Sequence, residues 1–467
     1  MWNFNKFQDN TAVILPDGRE VSYPELQRLS NSLGAKIADR SLIFNLCSNT
    51  LGSLLGYVSA LEHRNVPLML DEHIALEVVN GFIDEYRPDY LWLPVSRRED
   101  FAGTVIYETE GYVLLRTEFN REYQLHDDLA LLLTTSGSVG SPKFVRQSYK
   151  NIAANTASIV EYLHLDTAER AITSLPMNYT FGISVINSHL MVGATLVLSP
   201  YTIMQREFWT LMSEQKVTSL SGVPYTYEML DKLRFMRRDL PDLHTLTQAG
   251  GKLSPELHQK FAEYAQAQGK SFVVMYGQTE ATARMSYLPP ELSLTKVGSM
   301  GIAVPGGKFS LIDADNQQII EPGVVGELVY EGDNVTLGYA QSRGDLAKGD
   351  EFGGRLLTGD MARFDEDGFF YVVGRKKRFL KIFGNRVNLD ETERLIKSHF
   401  CDLDCACTGQ DDAMCIYVTN QQRLKEVQNF VAETSKINFV AFKVKYLAEI
   451  PKNEAGKTLY KELDKIA

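Results

Sequence analysis

Cysteine, tryptophan and long apolar runs are all scarce in this chain. Five cysteines in 467 residues exclude a scaffold built on disulfides. No stretch reaches the roughly 18 consecutive apolar residues that a membrane-spanning helix needs, and the opening Met1-Trp2-Asn3-Phe4-Asn5-Lys6 lacks the apolar core of a secretory signal. A protein without a membrane span, located in the cytoplasm, is therefore expected. Four cysteines do lie close together, Cys401, Cys405, Cys407 and Cys415, but they lack paired C-x-x-C units and His399 is the one nearby histidine, which disfavours a zinc site. Cys405 and Cys407 alternate along a strand-like segment, with Cys415 on the next, and read as small core residues.

What is present is the profile of a globular enzyme: 44% hydrophobic and 23% charged residues, in a chain too long for one small core. The net charge of −11 is uneven, since residues 374–467 carry 17 Lys+Arg against 13 Asp+Glu and the remainder 31 against 46. The basic charges are scattered and match no nucleic-acid motif, so nucleic acid is not an expected partner. An anionic small molecule between a basic tail and an acidic body explains the asymmetry more economically.

Short apolar runs at 42–46, 90–93, 194–198 and 271–275 alternate with amphipathic segments, among them a helix opened by Ser22-Tyr23-Pro24-Glu25 with Leu26, Leu29, Leu33 and Ile37 on one face. Strands alternating with helices predict α/β layers around a largely parallel sheet. From about Gly326 the punctuation changes to short strands and turns, and residues 374–381 form a charged segment without a long apolar face. The expected architecture is α/β: a large N-terminal domain of layered α/β subdomains over 1–377 and a small C-terminal α+β domain over 378–467, with the hinge in the charged segment.

The richest local signal is Leu131-Leu132-Leu133-Thr134-Thr135-Ser136-Gly137-Ser138-Val139-Gly140-Ser141-Pro142-Lys143. An apolar strand runs into a loop whose glycines let backbone amides face an anion, whose hydroxyls add donors, and whose lysine adds a point charge. Pro142 and the lack of Ser or Thr after Lys143 break the Walker pattern, which disfavours a P-loop ATPase. Ile152, Ile159, Val160 and Leu163 share a helical face downstream, so the loop is expected between a strand and a helix.

Further motifs follow in order: Tyr276-Gly277-Gln278-Thr279-Glu280, Gly326-Glu327-Leu328 with Gly338-Tyr339, Thr358-Gly359-Asp360, Gly374-Arg375-Lys376-Lys377-Arg378 and Gly456-Lys457. Together they resemble the adenylate-forming superfamily of acyl-CoA ligases, luciferases and peptide-synthetase adenylation domains, from about Val21 to Leu463. The resemblance implies an AMP-forming ligase. A carboxylate attacks the α-phosphate of ATP, pyrophosphate leaves, and the acyl-adenylate passes to a thiol of CoA or of a carrier protein's phosphopantetheine. Such chemistry rests on charge neutralisation and alignment of two anions.

By the same resemblance, Thr135, Ser136, Gly137, Ser138, Gly140 and Lys143 cradle the β and γ phosphates, Thr279 bonds the α-phosphate, and Glu280 holds Mg²⁺, a hard cation suited to oxygen ligands. Tyr276, with Gly277 behind it, stacks on adenine opposite Gly250-Gly251-Lys252. Asp360 accepts the ribose hydroxyls, Arg375 is a second ribose or phosphate contact, and Lys457 is the catalytic lysine between substrate carboxylate and α-phosphate. Three departures stand out. Val139 replaces a usual Thr, which weakens the grip on pyrophosphate; Phe144 replaces a usual Gly, which stiffens the loop; and Arg378 occupies the position of the usual hinge Asp.

Leu175-Pro176-Met177-Asn178-Tyr179-Thr180-Phe181-Gly182 resembles the acyl-pocket motif, with Tyr179, Phe181 and Gly182 facing substrate. No acidic residue lies between Leu175 and Val197. A buried ammonium would be left unpaired, so acyl or hydroxyacyl groups are favoured over α-amino acids. Arg284 meets either a polar acyl substituent or a structural ion-pair partner. Two rival readings are an enzyme that stops at the acyl-adenylate and a non-catalytic nucleotide-binding partner subunit; the joint presence of Lys143, Glu280, Asp360 and Lys457 speaks against the latter.

Overall fold

A computed structural model describes residues 2–119, 124–134, 143–383, 385–452 and 458–465. The chain divides into two compact units: Met1–Phe309 with Tyr330–Leu356, and Ser310–Val329 with Leu357–Ala467.

The first unit carries two large sheets, of nine and eight strands. Each has a parallel centre and antiparallel edges, as the alternation of strands and helices predicts. The apolar runs become strands at Leu42–Cys47, Tyr90–Pro94, Thr195–Val197 and Ser271–Gly277. The first of these is buried at every position, as a central parallel strand covered on both faces must be. The helix Tyr23–Gly34 begins at Ser22, whose hydroxyl accepts from the Glu25 amide, and buries Leu26, Leu29 and Leu33.

Around the phosphate-loop sequence the structure corrects the expectation. Strand β1 (Leu129–Thr134) is followed by an antiparallel strand β2 (Phe144–Ser148) before helix α1 (Tyr149–Leu163) begins, so the loop joins two strands of a hairpin. The helix starts late because Ser148 and Asn151 form a reciprocal capping box that fixes its first turn. Phe144 belongs to the core, with its ring against Phe82 and Tyr86 at 5.2 and 5.0 Å between centroids. Its bulk therefore anchors the base of the hairpin. On α1, Ile152 and Ile159 are buried as expected, but Asn155, Thr156 and Tyr162 share the buried face.

Arg146, on β2, has no exposed surface in its side chain. It pairs with Glu351 and donates to the carbonyls of Tyr339 and Leu337 at 3.0 Å, of Gly349 at 3.2 Å and of Lys348. One guanidinium thereby holds the edge strand Gly338–Ala340, which pairs with β2, and the turn after it.

In the second unit, a three-stranded sheet of Cys405–Gln410, Ala413–Val418 and Phe442–Tyr446 packs with the helices Leu389–His399 and Leu424–Ser435 around Leu380, Ile396, Met414, Val427 and their neighbours. Cys405, Cys407 and Cys415 are buried on the first two strands, and no cluster of metal-ligating side chains occurs among the described residues. The charged segment is folded. Phe370–Arg375 is a strand, and Arg378 is largely buried between Asp390 and Glu393, donates to the carbonyl of Cys407 at 3.0 Å and lies over the ring of Tyr460, 3.7 Å from its centroid. Glu393 also accepts from the Tyr460 hydroxyl at 2.9 Å and the Cys407 amide at 2.7 Å. No helix among the described residues is long and apolar enough to cross a membrane.

Candidate active site

Thr135, Ser136, Gly137, Ser138 and Gly140, like Lys457, lie outside the described residues. Lys143 is described, and its ammonium lies 3.2 Å from the ring centroid of Tyr339. The same tyrosine donates its hydroxyl to Oε1 of Glu280 at 2.9 Å. Burial pushes the Tyr339 phenol well above its usual range, and the Glu280 carboxylate pushes it further, so the hydroxyl stays a donor. One phenol thus joins the lysine that ends the phosphate loop to the carboxylate of the Tyr-Gly-x-Thr-Glu motif.

The motif itself is built on a strained turn. Strand β3 (Ser271–Gly277) carries Tyr276 and Gly277, and a short helical turn, Thr279–Ala281, leads into strand β4 (Arg284–Tyr287), which pairs antiparallel with β3. The chain doubles back so closely that a Cβ on Gly277 would lie 1.8 Å from the carbonyl oxygen of Ala283, which requires glycine there. Thr282 adopts φ +65° and ψ −59°, a conformation that costs a β-branched residue on the order of 1–3 kcal/mol. It is held by three bonds: its carbonyl accepts from Gln147 Nε2 at 3.2 Å and from the Thr180 hydroxyl, and its own hydroxyl donates to the carbonyl of Asn334 at 2.7 Å. The carbonyl of Glu280 accepts from the amide and hydroxyl of Thr336, each at 3.0 Å. Glu280 is therefore fixed from both its backbone and its side chain, with Thr279 buried beside it.

The pocket motif opens helix α2 (Thr180–Val192). Tyr179 and Phe181 meet edge to face at 6.5 Å, and burial pushes the Tyr179 phenol up to about 12. Gly250 adopts φ +83°, and a Cβ there would lie 2.5 Å from the Tyr179 oxygen, so the Gly250-Gly251 turn and the pocket motif touch through this contact. Gly182 and Phe181 are buried in the first turn of the helix. Arg284 reaches this helix from β4: its side chain is buried, Nε donates to Ser184 Oγ and Nη1 to Tyr162 Oη, both at 3.2 Å, and its guanidinium carbon lies 5.0 Å from the Phe181 centroid. Among the described residues no carboxylate pairs with it.

In the second unit, Asp360 and Arg375 face each other on adjacent antiparallel strands, Arg355–Phe364 and Phe370–Arg375, and the guanidinium Nε lies 2.8 Å from Asp360 Oδ1. The carboxylate is almost fully buried, and the Asp360 amide donates to the Thr358 hydroxyl at 3.1 Å. Sequence reasoning missed Tyr339 as the link between Lys143 and Glu280, and Thr282 as part of the turn that carries the motif. Gly338-Tyr339 was visible as a motif, but nothing in its spacing reveals a bond to a carboxylate 59 residues earlier.

The chain is similar to known proteins in sequence and in fold. The profile of the AMP-binding enzyme family matches residues 2–340. The chain is 29% identical over 354 residues to 4-coumarate–CoA ligase-like 2 of Arabidopsis thaliana, which covers 73% of this chain and 62% of that protein. It is 28% identical over 355 residues to peroxisomal OPC-8:0-CoA ligase 1 of the same plant, covering 73% of this chain and 64% of that one. These matches thus span less than two thirds of either relative. Among solved structures, O-succinylbenzoate coenzyme A synthetase of Bacillus subtilis in complex with AMP superposes with a TM-score of 0.79 at 19% identity, covering 99% of this chain and 98% of that one. A profile that takes in Lys143, Glu280 and the tyrosine between them extends over most of the sequence, and the chain belongs to the AMP-binding enzyme family.

Proposed function

We propose that the protein is an AMP-forming acid–thiol ligase. It joins a carboxylic acid to the α-phosphate of ATP with release of pyrophosphate, then transfers the acyl group to the thiol of CoA or of a carrier protein's phosphopantetheine. The observation that carries this reading is the convergence of Lys143 and Glu280 on Tyr339. A cation for phosphate and a carboxylate for a metal are oriented by one side chain, which suits a polyphosphate substrate bound with its counter-ion.

In this reading Thr135, Ser136, Gly137, Ser138, Gly140 and Lys143 receive the β and γ phosphates, and Thr279 the α-phosphate. Glu280 is suited to Mg²⁺, because the Tyr339 hydroxyl takes one carboxylate oxygen and orients the other; the bound ion supplies positive charge against the phosphates. Tyr276 and Gly277 with Gly250 and Gly251 line the adenine site, and Asp360 with Arg375 receives the ribose. Tyr179, Phe181 and Gly182 border the acyl group, and Lys457 stands between the two reacting anions. The mobile C-terminal domain is taken to begin at residue 378. With MgATP and an acyl-accepting thiol as substrates, the reaction belongs in the cytoplasm.

The test is a panel of carboxylic acids incubated with MgATP, read by pyrophosphate release and by mass spectrometry of the adenylate, then repeated with CoA and with a phosphopantetheinylated carrier. Acid-dependent pyrophosphate and a thioester are expected. Absence of acid-dependent pyrophosphate across the panel overturns the reading, and an adenylate that no thiol consumes limits it to the first half-reaction.

Two substitutions probe the cluster. Glu280→Gln keeps the shape and removes the charge, so the Mg²⁺ concentration that half-saturates nucleotide binding should rise steeply. Tyr339→Phe removes only the donor to Glu280 and should raise it roughly tenfold, read by calorimetric titration of ATP at stepped Mg²⁺. An unchanged Mg²⁺ dependence in Glu280→Gln would place the metal elsewhere.

A further inference from the structure

The least expected group in the first unit is the guanidinium of Arg284. Its side chain is buried, with the residue 3% exposed. Its neighbours among the described residues are neutral: Ser184 Oγ, Tyr162 Oη, the sulfur of Met275 at 3.6 Å and the face of Phe181. A guanidinium cannot shed its proton to escape burial, and a buried charge without a counter-charge is strongly unfavourable. Hydroxyl oxygens satisfy hydrogen-bond geometry but leave that charge uncompensated.

The position is fixed rather than adaptable. Asn155 on α1 donates to the Arg284 carbonyl at 2.7 Å and accepts from its amide at 3.4 Å, and Asn334 donates to the same carbonyl at 3.2 Å. Tyr162, which receives Nη1, is held in turn by its ring stacked on Tyr287 at 4.4 Å and by its hydroxyl against Met275 Sδ at 3.0 Å. A second buried group registers the excess positive charge. His189, on the same helix as Ser184, is pushed down to about 4, by burial first and also by Arg284, although the Val185 carbonyl at 2.8 Å works in the other direction. The imidazole stays neutral, and among the described residues its Nε2 has no hydrogen-bond partner.

The guanidinium lies against Phe181, in the first turn of the helix that the pocket motif opens. We propose that Arg284 is the specificity-determining residue of the acyl pocket and receives a second anionic group on the substrate, so that the acid activated is a dicarboxylic or similarly anionic carboxylic acid, held by one carboxylate at Arg284 while the other reacts. This rests on the acid–thiol ligase reading and adds the missing counter-charge to it.

The test uses matched pairs that differ only at the far end: pentanoate and glutarate, hexanoate and adipate, octanoate and suberate, 4-methylbenzoate and terephthalate. Each is assayed for acid-dependent pyrophosphate release with MgATP, and the corresponding non-hydrolysable acyl sulfamoyl-adenosines are titrated by calorimetry. In the wild type, the diacid of at least one pair should be preferred on the order of 100-fold in kcat/KM and in analogue affinity. Arg284→Met, close in length and apolar, should reverse that ratio, and Arg284→Lys should retain its direction. The analogue of the uncharged acid should bind Arg284→Met at least as tightly as the wild type, which separates lost recognition from lost folding. Uncharged acids preferred at every length, or a ratio unchanged in Arg284→Met, overturns the proposal while leaving the ligase reading intact. Failure of every acid and every analogue overturns the ligase reading, and this proposal with it.

Discussion

Lys457→Ala is expected to lose pyrophosphate release by about two to three orders of magnitude, yet to convert a supplied acyl-adenylate to thioester at close to the wild-type rate. In the proposed role the charge is needed while a carboxylate approaches the α-phosphate, two anions that repel at bonding distance. Once the adenylate exists, thiol attack on its carbonyl expels AMP and has no comparable use for that ammonium. The measurement is therefore a pair of assays on one variant, acid-dependent pyrophosphate release and thioester formation from synthetic adenylate. Equal losses in both would remove Lys457 from its assigned role and point to a general structural effect.

A second large effect is expected in stability. Arg146 is fully buried, and its donors serve four carbonyls and Glu351, a residue that is half exposed. Arg146→Leu fills the space but takes the guanidinium donor from the carbonyls of Tyr339, Lys348 and Gly349, while the Leu337 carbonyl keeps the Glu351 amide at 2.9 Å. A loss of about 3–5 kcal/mol is expected, in the range of broken buried charge networks. Glu351→Gln should cost under about 1 kcal/mol, because its partner keeps the carbonyls and its own charge was already partly solvated. Urea unfolding of the full chain, followed by circular dichroism, compares the two. Equal losses would mean that the ion pair, and not the set of carbonyls, holds this guanidinium.

How far the sequence could be read depends on where each residue finds its partners. The strands Leu42–Cys47 and Ser271–Gly277 were legible because burial on both faces demands continuous apolar residues. The helix Tyr23–Gly34 was legible because its cap and its apolar face are local. Phe144–Ser148 was not, since nothing local to the sequence marks Arg146, Gln147 and Ser148 as buried. Arg146 and Gln147 are buried because their partners arrive from strands and turns far along the chain, nearly 200 residues away for the Tyr339 carbonyl, whereas Ser148 is held locally by Asn151. The polar buried face of α1 was missed for the same reason.

The candidate site divides in the same way. Glu280 and Asp360 were legible as motif members, and the pairing of Asp360 with Arg375 follows from adjacent strands. Tyr339 as the meeting point of Lys143 and Glu280 required three-dimensional proximity. Arg378 was legible as a departure from the usual hinge residue, but its burial between two carboxylates and a tyrosine was not.

That last cluster has a consequence for how the sequence can change over generations. Arg378, Glu393 and Tyr460 are spread over more than 80 positions, yet each supplies what the other two lack: a cation, the carboxylate facing it, and a phenol that caps both. An aspartate at 378 beside an unchanged Glu393 would bury two like charges together, so neither replacement is tolerable alone. Lineages that carry the usual acidic hinge residue should therefore differ at 393 and 460 as well, and the three positions should be inherited as a set.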